Sequence, residues 1–287
     1  MSFTIDKDEF QTLLKLTQRP QNLEGKSNFQ VNACMLTVAY PKIYTCSLVK
    51  DGLSSVSMFS TNINSTASPR DDDTIIKSSN SNIPVTDIKN LLGVLNYHGG
   101  SLTISHKENN KLVIKSRSKQ TTITSNSKAL AFPHSPVSLQ EWSNKSIEII
   151  GKIGSGGSYM TKDGNQLEAF ASFNGLDTTT LFEALRCVNV NGQKTNEFTF
   201  ISDTDGLKVI TGKELKGQTE YKIETYSSQP FTATFGGGLD NILKDVTKPN
   251  VNLHFLNLTS YNQGIKMIME FDTDNIIFQS SIGEVIV

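Results

Sequence analysis

The sequence has little with which to do covalent chemistry. Its three cysteines, Cys34, Cys46 and Cys187, form no closely spaced pair. An odd count without a framework points to reduced thiols in a reducing compartment and excludes a disulfide scaffold. Four histidines, His98, His106, His134 and His254, stand at no metal-ligand spacing, so each reads as a surface or strand residue rather than a ligand. No Ser/His/Asp or Cys/His constellation can be argued from spacing. Gly206–Glu214 is one residue too long for a phosphate loop and has Glu214 where a hydroxyl should meet magnesium. The expectation is a protein that is not an enzyme and uses no cofactor and no metal.

Long apolar runs are missing too. None approaches the roughly 20 residues that span a bilayer, and the start MSFTIDKDEF has neither the basic nor the apolar stretch of a signal peptide. A soluble, intracellular chain with no membrane partner is expected. Excess charge is absent as well: the formal net charge is −1, whereas tight nucleic-acid binding through the whole surface asks for a basic protein. Either DNA is not the partner, or positive charge is confined to one face. Apolar residues make up 37% of the chain, enough to bury a sizeable core and to exclude wholesale disorder.

What the sequence does have is strand pattern. Ser101–His106 and Lys111–Lys115 alternate around the turn Glu108-Asn109-Asn110, and Glu197–Ser202 and Leu207–Thr211 do so around Asp203-Thr204-Asp205-Gly206. Thr219–Tyr226 alternates again, as do the sets Val251/Leu253/Phe255, Ile265/Met267/Met269/Phe271 and Ile276/Phe278. Period two is what half-buried antiparallel strands require. Four short segments read as helices: Asp6–Gln18, Val85–Asn96, Thr178–Asn189 and Leu239–Thr247, each with one apolar face. Residues 1–125 thus run helix, strands, helix, strands, and residues 176–287 repeat that order. The predicted division is a first β-rich domain over 1–125, a connector over 126–142 and a second domain over 143–287. Thr61–Asn82 reads as a long polar surface loop, Ser125–Trp142 as a linker, and Ile147–Ile150 as part of an extra hairpin, with Gly154-Ser155-Gly156-Gly157 at a hairpin tip.

Three stretches give this arrangement a likeness. They are Ile83–Leu92 leading into the Leu102–Ile114 hairpin, Leu181–Val188 leading into Glu197–Val209, and the closing strands Val251–Val287. The pattern resembles the sliding-clamp family, PCNA and the related phage clamps. The resemblance implies an α+β fold of two tandem clamp domains, each with two short helices on one face of antiparallel sheets. The chain departs from that pattern in its extra length around Thr61–Asn82 and Gly151–Phe173.

The resemblance also implies a function. Such a protein encircles double-stranded DNA without reading its sequence and tethers a replicative polymerase, placed there by a clamp loader. With two domains per chain, three copies close a six-domain ring. Helices would line the hole, so Lys7, Lys15, Arg19, Lys89, Arg186, Lys244 and Lys248 become candidate phosphate contacts, although acids on the same segments allow an ordinary solvated face. The connector residues Leu130, Phe132 and Pro133, with Val285, Ile286 and Val287 at the C-terminus, become a candidate pocket for partner peptides; pinning a linker and completing an edge strand is the alternative. The strands around Leu112–Thr124 and Thr219–Tyr226 become candidate subunit edges. The composition and the divergence from familiar clamps suit a virus or phage, which would place the protein in a host cytoplasm; a eukaryotic clamp would sit in a nucleus or replication compartment. A β-rich viral structural protein, or a monomeric processivity factor of the same fold, are the alternatives.

Overall fold

The computed structural model describes residues 2–17, 20–21, 29–30, 33–49, 55–65, 81–107, 111–124, 139–186, 197–213, 217–224, 229–236, 243–261, 264–272 and 274–286. The chain forms two compact units. The first is built from residues 1–19, 30–48 and 58–147, the second from residues 20–29, 49–57 and 148–287.

In the first unit, five antiparallel strands lie in the order Lys119–Thr124, Lys111–Ser116, Ser101–Lys107, Ser2–Asp6 and Asn64–Ser65. Register puts Phe3 opposite Ile104 and Ile104 opposite Ile114, while Ile5 faces Leu102. These side chains are buried, so the period-two positions Leu102, Ile104 and Ile114 read from the sequence form one core face with Phe3 and Ile5 of a strand that the sequence reading did not name. A second ladder pairs Cys34–Ala39 with both Lys42–Val49 and Ser81–Val85. Helix α1 (Lys7–Thr17) and helix α2 (Ile88–Leu95) bury Phe10, Leu13, Leu14, Ile88, Leu91 and Leu95. The Thr17 hydroxyl donates to the Leu13 carbonyl at 2.8 Å and to Thr45 Oγ1 at 2.8 Å, so the buried end of α1 leaves that polar group paired.

In the second unit, Gly217–Glu224, Gly206–Lys213, Glu197–Asp203 and Phe231–Gly236 are consecutive neighbours. Ala171–Asp177, Asn250–Asn257 and Ile265–Asp272 form a second ladder. The closing strand Asn275–Ile286 pairs with Ile265–Asp272 through its first half and with Phe231–Gly236 through its second. Phe255 stands where the two ladders meet: its ring lies 4.5 Å from Phe231, 5.7 Å from Phe200, and 6.2 Å from both Phe173 and Phe235.

Both faces of the Asn250–Asn257 strand are buried. Leu253 and Phe255 point into the aromatic core, and His254 and Leu256 point the opposite way, yet all four are at most 2% exposed. The segment after helix α3 (Leu139–Ile150) covers that second face. A loop closed by the Ile153–Tyr159 bridge presses Gly157 against the His254 ring, and Tyr159 stacks on Phe278 at 5.5 Å.

The sequence reading needs correction here. Ile147–Ile150 is the end of α3 and not a strand, and α3 begins at Leu139, inside the stretch read as a linker. Among its residues whose burial is described, the buried ones are Ser143, Ser146 and Ile150; they have helical spacing, but two of the three are serines, which weakens the apolar stripe a helix is read from. The polar stretch Thr61–Asn82 begins and ends in strands: Thr61 and Asn62 close Ser55–Asn62, and Ser81 and Asn82 open Ser81–Val85. Residues 66–80 lie outside the described residues. Val85 likewise belongs to a strand, and α2 starts after Asp87. Of the fourth expected helix, Leu239–Thr247, only 243–247 are described; Leu243 is buried in a helical turn. Helix α4 (Thr178–Arg186) matches the third expected segment up to the limit of description.

Candidate nucleic-acid interface

Helices α1, α2 and α4 are each started by a carboxylate from the preceding strand or loop. Asp6 Oδ1 accepts from the Asp8 and Glu9 amides at 2.8 and 3.2 Å, capping α1. Asp87 Oδ1 accepts from the Asn90 amide at 2.8 Å, capping α2. Asp177 accepts from both the amide and the hydroxyl of Thr180 at 2.7 and 2.8 Å, capping α4. The Thr180 hydroxyl, then the amide, hold the Asp177 carboxyl below its usual value. These bonds satisfy amide donors that the first helical turn leaves over.

In the first unit α1 and α2 lie side by side, joined by a hydrogen bond from Gln11 Nε2 to Asn96 Oδ1 at 2.9 Å. Their outward residues are Asp8, Glu9 and Lys15 on α1, and Lys89, Asn90, Gly93 and Asn96 on and just beyond α2, with Tyr97 following at 73% exposure. The face is therefore hydrophilic and of mixed sign. His98, by contrast, is buried: one ring nitrogen bonds Ser116 Oγ at 2.8 Å and the other Thr121 Oγ1 at 2.9 Å, tying the end of α2 to both strands of the neighbouring hairpin.

The candidate phosphate contacts fall into three groups. Lys15, Lys89, Arg186 and Lys244 are exposed. Arg186 ends α4 with its guanidinium 5.9 Å from the centre of the Phe182 ring, a contact that fixes the side chain without neutralising it. Lys7 and Lys248 are already ion-paired, with Asp8 at 3.1 Å and Asp272 at 2.8 Å. Arg19 lies outside the described residues. For the candidate peptide pocket, Leu130, Phe132, Pro133 and Val287 also lie outside them, and Val285 and Ile286 belong to the closing strand. Among the described residues, both candidate subunit edges end their sheets: Lys119–Thr124 is one terminal strand in the first unit and Gly217–Glu224 one in the second.

Sequence reasoning missed the charge carried by the strands. In the first unit Lys111 and Lys115 project from the sheet face opposite Leu112 and Ile114; Lys107 stands across from Lys111, and Arg117 sits in the following turn. The signal was in the i, i+2, i+4 spacing of Lys111, Val113 and Lys115, which was read only for its apolar partner positions. In the second unit Lys208 is held by Asp203 at 3.0 Å, with Asp205 and Glu220 each at 3.6 Å. Its bond to Asp203 raises the lysine's pKa and lowers that of the aspartate.

His254 was also missed as a polar centre. Its Nδ1 is 2.9 Å from Ser172 Oγ, and its Nε2 is 3.4 Å from Glu270 Oε2 without hydrogen-bond alignment. Burial lowers its pKa, and Glu270 acts in the opposite direction. Among the described residues, no group of three or more His, Cys, Asp or Glu could hold a metal ion, and no helix is long and apolar enough to cross a membrane.

No protein-family model and no curated protein sequence matches this chain. Solved structures do. The DNA polymerase sliding clamp of Pseudomonas aeruginosa superposes over 99% of this chain and 67% of its own, with a TM-score of 0.63 at 13% identity. The PCNA2–PCNA3 complex of Sulfolobus tokodaii covers 99% of this chain and 100% of its own, with a TM-score of 0.59 at 12% identity. PCNA of A. fulgidus, solved with the C-terminal region of FEN-1 bound, covers 99% and 98%, with a TM-score of 0.57 at 10% identity. The chain has the sliding-clamp fold. It spans about two thirds of the Pseudomonas clamp and essentially the whole of the two PCNA chains. The α+β class and the clamp architecture expected from the sequence are thus both found.

Proposed function

We propose that this chain is a DNA sliding clamp: a non-enzymatic, soluble ring subunit that encircles duplex DNA and holds a polymerase on it. The observation that carries the reading is the likeness to sliding clamps over 99% of the chain. The mixed-sign helix faces agree with it. A closed ring keeps DNA by topology, so its phosphate contacts can be few and weak enough to slide. A protein that gripped DNA by affinity alone would need a far more basic face.

Full-length correspondence with the PCNA chains, against two thirds of the Pseudomonas clamp, favours three copies per ring. The terminal strands Lys119–Thr124 and Gly217–Glu224 supply the two edges that each copy would pair with its neighbours. The division into domains over 1–125 and 143–287, joined by a connector over 126–142, belongs to this reading, as do the clamp loader and a viral source.

The test is topological. The chain is loaded with a clamp loader onto nicked circular DNA, which is then linearised. Retention on the circle and loss on linearisation support encirclement; equal retention on both overturns it. With a polymerase that responds to the clamp on primed circles, Arg186→Glu combined with Lys244→Glu is expected to lower the extension rate several-fold with the particle mass unchanged. An unaltered rate would remove both residues from the DNA path. In the same reading, Phe132→Ala is expected to weaken binding of a polymerase-derived peptide at least tenfold while the particle stays intact. Equal affinity, measured by titration calorimetry, would move the docking site away from the connector.

A further inference from the structure

The two candidate edges, Lys119–Thr124 and Gly217–Glu224, differ in charge. Around the first unit's edge, the strands Ser101–Lys107, Lys111–Ser116 and Lys119–Thr124 and the turn between the last two carry Lys107, Lys111, Lys115, Arg117 and Lys119, all exposed, and no Asp or Glu among the described residues. Lys111 faces Lys107 across one strand pair and Thr124, on the edge strand itself, across the other; Lys115 faces Gln120 of the edge. The cations therefore flank the free edge along its whole length.

The second unit's edge is built the other way. Gly217–Glu224 holds Glu220, Lys222 and Glu224, and Asp203 and Asp205 lie at the neighbouring turn. The strand behind the edge carries two lysines: Lys213 stands opposite Gly217 at the strand's end, and Lys208 is already committed, its side chain 15% exposed with three carboxylates within 3.6 Å. Lys222 is thus the one exposed cation of the described part of that strand, against acids on both sides of it.

Resting on the ring reading above, we propose that charge sorts these edges. The Lys119–Thr124 edge of one copy accepts the Gly217–Glu224 edge of a second copy and rejects another Lys119–Thr124 edge, and salt loosens the contact. Directly opposed residues on paired antiparallel strands come within about 5 Å, where like charges destabilise and opposite charges attract. Two basic edges paired antiparallel would bring the Lys119 end of each copy toward the other copy's Thr124 end, which Lys111 flanks one strand behind, so cation would approach cation. A backbone edge alone cannot make that distinction, because its unpaired amides and carbonyls accept any strand. Pairing basic edge to acidic edge runs head to tail, the heterologous mode that closes into a ring. The pairs stand at the solvent boundary, so added salt screens them: the screening length falls from about 10 Å at 0.1 M to about 3 Å at 1 M.

The experiment is sedimentation of the full chain at roughly 0.05 M and about 1 M sodium chloride. The unmodified chain is expected to sediment as three copies at low salt, with its association at least tenfold weaker at high salt. Lys111→Glu with Lys115→Glu is expected to be monomeric at low salt. Adding Glu220→Lys and Glu224→Lys to that same chain is expected to restore assembly. Circular dichroism checks that each variant is folded; if the fourfold variant is not, the salt titration of the unmodified chain decides. A three-copy particle whose association neither salt nor the lysine reversals weaken overturns the charge sorting and leaves the ring reading standing. An unmodified chain that is monomeric at low salt overturns the ring reading, and the charge sorting falls with it.

Discussion

Phe255→Ala is expected to lower the unfolding free energy by about 3–5 kcal/mol, a large part of the roughly 5–15 kcal/mol that holds a typical domain together. The residue is 0% exposed, and four other phenylalanine rings lie within 6.2 Å of its centre. Those rings come from three other strands, Ala171–Asp177, Glu197–Asp203 and Phe231–Gly236, so no single side chain can rotate to fill the space. Edge-to-face contacts between aromatic rings add about 0.5–1.5 kcal/mol to simple burial, and Phe255 makes one, with Phe173, besides tilted contacts with Phe200, Phe231 and Phe235. Urea denaturation measures the loss, and hydrogen exchange locates it in amides of 171–177, 197–213 and 250–257. Phe255→Leu keeps most of the volume and is expected to cost clearly less. A loss under about 1 kcal/mol for the alanine variant would mean that the rings collapse into the gap, contrary to a rigid core.

Phe255 was legible from the sequence: it completes the alternating set Val251, Leu253, Phe255, and the same alternation located Leu102, Ile104, Leu112 and Ile114 in the first unit, although the strands before residue 101 were not individually read. The short helices α1, α2 and α4 were legible for the same reason, each having an apolar stripe and an acidic residue at its start. Helix α3 was not, because Ser143 and Ser146 occupy buried positions where a stripe would carry leucines. The burial of His254 escaped for a different reason. Period two assigns its face to solvent, and only the fold of a segment nearly a hundred residues earlier covers that face. The exposed cations of the helices could be named from the sequence. Whether each was already paired, as Lys7 and Lys248 are, depended on neighbours the sequence does not display. The charge contrast between the two edges was written in Lys111, Lys115 and Glu220, but the order of strands decides that Glu220 stands at an edge and the two lysines one strand behind one, and order is a property of topology.

Gly157→Ala is expected to lift the covering loop off the second sheet face. The glycine has φ +74°, a left-handed conformation that costs an L-residue roughly 1–2 kcal/mol. A methyl group there would also meet His254, whose Cβ and Cγ lie 2.3 Å from the position it would take. The ring cannot retreat, because Ser172 Oγ holds Nδ1 at 2.9 Å and the residue is 2% exposed. Forcing extra atoms into such a site typically costs about 1–3 kcal/mol, so the two effects together reach about 2–5 kcal/mol, taken either as lost stability or as local opening. Local opening is the easier outcome. The loop can swing while the strands beneath keep their pairing, and its release would uncover the His254 and Phe278 surface. Hydrogen exchange is therefore expected to quicken in 151–167 more than in 250–257, and the His254 ring resonances are expected to shift. Gly156→Ala separates the two causes: that residue also has a positive φ, of 69°, but its Cβ would meet nothing within 4 Å. It is expected to show the conformational cost alone, with the His254 resonances unmoved. Equal behaviour of the two variants would mean that the contact with His254 does not hold the loop in place.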